Sequence, residues 1–400
     1  MQFPSRTPLS LTAAALVLAA ALAGCESGTA PTGADPAALA APDAAAASHG
    51  AVSFPATPTL YATGLMFPRG LKFGPDGDLY VAEAGSGGTG FTTAAQCAQV
   101  HSVPGPGPYT NGPTGRISRV DHHGGLHTVA SGFPSGENAF QDVLGVAAVA
   151  FVGNTLYALS SGGGCSHGVI GSPAGIARVS RSGSWSIVAD LSAYQATHPV
   201  AHPNPADFEP DGSWYGMIEN EGALVAVEPN HGEVVHVDPR RGAVSRIVDI
   251  SASQGHVVPS VVAARRGALY VSGLGVFPIV PGAENIYRVS RSGAISVVAN
   301  GFTTVLGLDF DHSGRLYVLE SSPAAGFPTP FTGRVVRLDR SGTRTVIVNG
   351  LFLPTGMTIG PDGALYISNK GYGPPQPGEI LRVQLKDDGR DSDDMEGGRD

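Results

Sequence analysis

Gly70-Leu-Lys-Phe-Gly-Pro-Asp-Gly-Asp-Leu-Tyr-Val-Ala-Glu83 decides the fold, because nearly the same sentence returns at Gly356-Met-Thr-Ile-Gly-Pro-Asp-Gly-Ala-Leu-Tyr-Ile-Ser-Asn369. Both stretches read as a short apolar strand, a tight turn and a second strand; Pro presets the turn's φ and Gly supplies its positive φ. Looser copies end in Leu156-Tyr157, Leu224-Val225, Leu269-Tyr270 and Leu316-Tyr317, which with Leu79-Tyr80 and Leu365-Tyr366 makes six. Repetition of this kind fixes the architecture before any single residue is weighed.

After each copy comes a third segment that alternates apolar and polar residues, as in Arg116-Ile-Ser-Arg-Val-Asp121, Asn285-Ile-Tyr-Arg-Val-Ser290 and Arg334-Val-Val-Arg-Leu-Asp339. Period two marks a strand. A second turn, such as Arg291-Ser-Gly293, leads to a fourth strand ending in a Gly-apolar pair, as in Val348-Asn-Gly-Leu351. Four antiparallel strands make one propeller blade. The sixth copy stops after its third strand, and Leu60-Tyr-Ala-Thr-Gly-Leu65 has the pattern of the missing fourth. The expectation is an all-β, six-bladed β-propeller over residues 57–386, closed by the N-terminal strand in the last blade, which pairs an otherwise open edge.

Composition agrees with a turn-dense body: 56 Gly and 32 Pro among 400 residues, with 14% charged. A net charge of −9 without a basic stripe argues against a nucleic-acid partner. Arg6, the apolar run from Leu9 to Ala23 and Leu22-Ala-Gly-Cys25 make residues 1–25 a secretion signal. The tetrapeptide resembles a bacterial lipobox, in which Cys25 becomes a lipid-modified N-terminus; the other reading is an ordinary signal peptide with an incidental cysteine. Lipidation would hold the protein at a membrane surface. Residues 26–56, rich in Ala, Pro, Gly and Thr, read as a flexible tether, and 387–400 as an acidic tail. The expected protein is exported, membrane-anchored and monomeric.

Cys97 and Cys165 fall in loops after the second strands of neighbouring blades, hence on one face. For an exported protein this favours a disulfide. Two free thiols, or a metal pair with His167, are the alternatives. Loops before the first strands and after the second strands open on that same face, so chemistry is expected there. Glu83, Glu228, Glu320 and Asn369 end their second strands and offer oxygen ligands for Ca or another divalent cation. The structural alternative is that they accept hydrogen bonds from loop backbone. Arg69 beside Glu83 is either an anion clamp or an ion pair. His231 and His256 are the titratable candidates for acid–base work. Phe67-Pro-Arg69, Glu137-Asn138 with Asp142, Trp214-Tyr215, His256 with Pro259, Thr303-Thr304 and Pro354-Thr355 enter the same face ahead of first strands.

Phe73-Gly-Pro-Asp-Gly-Asp-Leu-Tyr-Val-Ala-Glu83, Gly267-Ala-Leu-Tyr-Val-Ser-Gly-Leu274, Val276-Phe-Pro278 and Ile286-Tyr-Arg-Val289 together resemble the ScyD/ScyE family of exported bacterial propellers. The family's Asp-Ala-Gly-x-Asn run stands here as Glu228-Pro-Asn-His-Gly232. The resemblance implies a propeller of the NHL and SMP-30-like kind and carries over no catalytic residues. With no nucleophile, base and orienter constellation recognisable in the sequence, the expected function is a non-catalytic binding or scaffold module that takes a small molecule, glycan or protein on its loop-rich face. The alternative resembles gluconolactonase-like and streptogramin-lyase-like propellers: a metal-dependent hydrolase or lyase, with Glu83, Glu228, Glu320 or Asn369 around the ion and His231 or His256 as base.

Overall fold

The computed structural model describes residues 55–102 and 105–385; the leader with Cys25, the tether up to residue 54 and the acidic tail 387–400 lie outside the described residues. The described residues form six antiparallel sheets, five of four strands and one of five. The innermost strands are Pro68–Phe73, Val146–Val152, Met217–Asn220, Pro259–Arg265, Val305–Phe310 and Gly356–Ile359. Each touches the next and the last touches the first, so the blades close a ring.

The hydrophobic core is divided among the blade interfaces. Six apolar clusters each draw on two adjacent blades, and Leu71, Leu79 and Val81 of the first blade pack against Ala364, Tyr366 and Ile380 of the sixth. The repeated Leu-Tyr pair explains how. The tyrosine rings of Tyr80, Tyr270 and Tyr366 meet Phe151, Phe310 and Phe73 of the following blade edge-to-face at 4.8–4.9 Å between centroids, the favoured aromatic geometry. The hydroxyls of Tyr80 and Tyr366 turn back to the hairpin that starts the strand. Tyr80 donates to Asp76 at 2.8 Å and Tyr366 to Asp362 at 3.0 Å. The Asp of Gly-Pro-Asp-Gly and the Tyr four residues on are thus one unit. Lead glycines have a different cause: a Cβ on Gly356 would lie 2.6 Å from the Arg69 carbonyl oxygen of the neighbouring inner strand.

Thr59–Leu65 runs antiparallel to Gly378–Val383, with Thr59 opposite Arg382 and Leu65 opposite Gly378. This sheet draws on both ends of the described chain. Inner strands start at the loop-rich face, so fourth strands end there and third strands leave it. Residue 55 and residue 385 therefore both emerge on the opposite face.

The first blade departs from the repeat. Its third strand starts at Thr110, ahead of the expected Arg116, and its fourth extends over Leu126–Glu137 to match. Asn111 anchors the extension by donating to the Gly162 and His167 carbonyls at 2.7 and 3.1 Å. The lengthened pair stands above the ring as one wall of a cup. Cys97 and Cys165 are bonded to each other, 68 residues apart, and tie the loop below that wall to the second blade.

Candidate functional site: a cup on the loop-rich face

Two cavities lie along the ring axis. The outer one, about 520 Å³, opens on the loop-rich face; the inner one, about 470 Å³, is bounded by the inner strands themselves. Tyr215, Ser260, Leu306 and Thr355 line both and form the partition. Tyr215 Oη donates to the Thr355 carbonyl at 3.0 Å, a bond between opposite blades that bolts the floor of the cup. Burial, helped by Asp142 against the opposing Arg69, pushes the Tyr215 hydroxyl up to about 12, so it stays a donor.

Of the residues expected on this face, Asn138, Asp142, Tyr215, His256, Thr304 and Thr355 line the cup. Arg69 does too, but not as an anion clamp on Glu83. Its guanidinium is buried and donates to the carbonyls of Gly371 and Val143, the latter at 2.7 Å, with Asp142 at 3.4 Å. Glu83 instead takes Arg116 Nε at 2.7 Å, Ser118 Oγ and the Met66 N–H.

The strand-ending set serves the blades. Glu320 accepts the Thr303 N–H at 2.8 Å and Arg334 at 2.6 Å, and Asn369 accepts the Phe352 N–H at 2.9 Å. Glu228 accepts the N–H groups of Ser213 and His231. In each of these four blades this side chain holds the segment leading into the innermost strand. The structure does not bring these four together, and the described residues contain no group of three or more His, Cys, Asp or Glu side chains placed to hold a metal ion. Their oxygens are spent on N–H donors, so this set does not fit a divalent cation.

The two histidines part company. His231 is buried behind the cup wall, stacked on Phe208 at 5.0 Å, and its Nε2 lies 2.9 Å from Gln195 Nε2. Since the amide is the donor, Nε2 carries the lone pair and the proton sits on Nδ1, which has no partner. Burial lowers its pKa and keeps it neutral. His256 does line the cup, with Nε2 2.9 Å from Asp207 Oδ2.

Beneath the wall lies a buried network that sequence reasoning missed. Tyr109 donates to Glu209 Oε1 at 3.0 Å, and His167 Nε2 meets Glu209 Oε2 at 3.2 Å. His167 Nδ1 sits 2.7 Å from the Gly163 carbonyl, which can only accept. Two acceptors on one ring favour the imidazolium. Burial opposes that charge, yet the hydrogen bond and charge of Glu209 outweigh it and raise the His167 pKa. Gln195, from the helix Leu191–Thr197, donates to the Glu209 carbonyl at 2.8 Å and links the network to His231. The only signal in the sequence was the polar, proline-broken stretch His198–Asp211, which has no period to read.

Aromatic side chains complete the rim. Phe140 and Phe277 line the cup while remaining 57% and 47% exposed, a cost in water that a ligand would remove. Phe277 is backed by Phe327, stacked at 6.3 Å, with Ile279 and Gly326 bridged beneath them.

No family model and no curated protein matches the chain. Solved structures do. A proposed oxidoreductase (glucose dehydrogenase) from Thermus thermophilus is 16% identical, with a TM-score of 0.50 over 82% of this chain and 100% of that one. A Bacteroides thetaiotaomicron protein of unknown function is 10% identical, with a TM-score of 0.51 over 82% and 72%. A streptogramin B lyase is 12% identical, with a TM-score of 0.46 over 82% and 97%. What this chain shares with the first two is the fold, in agreement with the six blades described above.

Proposed function

We propose that this protein binds a small, largely apolar organic molecule in the cup on its loop-rich face, as a binding module rather than an enzyme. The observation that carries the reading is the cup itself. A cavity of about 520 Å³ with half-exposed Phe140 and Phe277 at its mouth and Tyr215 bolting its floor has the size and character of a ligand site. The repeat motifs support a ScyD/ScyE-like propeller. The Cys97–Cys165 bond suits export, and with the Leu22-Ala-Gly-Cys25 motif it supports a lipid anchor at Cys25. A tether that reaches residue 55 would join the propeller on the face opposite the cup and leave the cup's mouth unobstructed by the point of attachment. The neutral fluorophore N-phenyl-1-naphthylamine tests the reading: it should bind one per chain, and Phe140→Ala and Phe277→Ala should each weaken it several-fold while leaving the fold intact. No saturable binding, or binding indifferent to both substitutions, contradicts the reading.

One pair favours a second reading, a hydrolase or lyase. His256 and Asp207 have the contact by which a carboxylate orients an imidazole base, and both face the cup. Turnover of a lactone or ester panel that His256→Gln abolishes, with probe binding retained, would establish it over the first.

A further inference from the structure

The structure assigns the cup's ligand a charge: we propose that it takes an organic cation, an amine on an aromatic or alicyclic body. This rests on the binding reading above and deepens it. Among the described residues Arg69 is the cup's one permanent cation, and its side chain is only 5% exposed and donates to two carbonyls and Asp142. The carboxylates are the charged groups a ligand meets. The Asp142 side chain is 37% exposed and that of Asp207 36%, whereas His256, the partner of Asp207, is 18% exposed. Among the described residues no lysine lines the cavity. Burial inverts the usual count: the positive charge is spent on the wall and the negative charge faces the opening.

The apolar lining points to the same ligand. Phe140, Phe277, Tyr109 and Tyr372 present aromatic surface to the cavity, and aromatic faces attract cations. Burial comes first in raising the hydroxyl pKa values of Tyr109 and Tyr372, with Asp142 among the further causes, whereas at Tyr215 the opposing Arg69 outranks Asp142. An ammonium between Asp142 and Asp207, with its hydrocarbon part against Phe140 and Phe277, satisfies both sets of groups. A carboxylate ligand would face two like charges and would find the only guanidinium already occupied.

Three probes of one shape separate charge from shape: tryptamine, tryptophol and indole-3-propionate, each titrated against the intact exported chain by competition with N-phenyl-1-naphthylamine. Tryptamine is expected to bind about tenfold or more tighter than indole-3-propionate, with tryptophol between them, a ratio that an exposed carboxylate at contact distance can supply. Asp142→Asn and Asp207→Asn should each shrink that ratio several-fold and leave tryptophol almost unchanged. Equal binding of the three, tighter binding of the acid, or a ratio untouched by both substitutions overturns the cation assignment while the cup remains a ligand site. Failure of all three probes together with the neutral fluorophore overturns the binding reading and this inference with it.

Discussion

Glu228 shows how one substitution within the repeat changes a residue's chemistry. In the first and fifth blades the residue across the strand pair is Arg116 or Arg334, which neutralises Glu83 or Glu320. In the third blade that place is Glu233. Burial, against the backbone N–H groups that favour the anion, pushes the Glu228 carboxyl from 4.5 up to about 8. A carboxyl raised on folding contributes stability that is fully present below its ordinary value and lost as pH rises through about 8. Glu228→Gln has no proton to lose, but keeps an acceptor for only one of the two N–H groups, which bond different carboxyl oxygens. Its melting temperature relative to that of the wild type should therefore rise as pH increases through about 8, on top of a pH-independent cost for the lost acceptor; a difference that does not change with pH would refute the buried-acid account. His167 gives a second test. Its pKa is raised by Glu209, so its contribution is whole below about 6.5 and is lost as pH rises through the higher folded value. His167→Asn leaves Glu209 buried without its cation, for which about 3–5 kcal/mol of lost stability is expected in urea unfolding.

At the scale of the element, the Tyr215 bolt and the disulfide hold the cup from below and from the side. Tyr215→Phe removes the hydrogen bond to Thr355 and should cost about 1 kcal/mol. Tyr215→Ala should in addition merge the two axial cavities, visible as new density spanning the partition in a xenon-pressurised crystal. The Cys97–Cys165 bond closes a loop of 68 residues, which on the chain-entropy account is worth about 4 kcal/mol. Cys97→Ser should lower stability by up to that amount and weaken probe binding in the cup, because the loop carrying His101 and Tyr109 loses its tie. Much at this scale was legible in the sequence. Gly-Pro-Asp-Gly followed by Leu-Tyr encodes a turn, a strand, a hydroxyl acceptor and an interblade aromatic contact in eleven residues from Phe73 to Glu83. Asn138, Asp142, Tyr215 and His256 were placed on the correct face for a local reason, since they precede inner strands. Asp207, Glu209 and Gln195 were not legible. They lie on an insertion whose position is set by contacts with distant residues such as Tyr109 and His167, and no period or turn chemistry records that.

For the whole molecule, the ring is held by six interblade cores of similar kind, beside which the first blade adds two clusters of three residues under its own loops. Thr59–Leu65 places Ala62 and Leu65 in the cluster between the sixth and first blades and pairs the edge of Gly378–Val383. A chain starting at Met66 should lose cooperative unfolding or self-associate through that exposed edge, seen by calorimetry and light scattering; a monomer with the wild-type transition would show the strand to be dispensable. The same topology puts both described ends on the face away from the cup, which is assigned as the ligand site. A crystallographic fragment screen is the most direct test of that assignment. Fragments should gather in the cup against Phe140, Tyr215 and Phe277, with amines beside Asp142 and Asp207; an empty cup, with fragments gathered on the opposite face or between blades, would contradict it.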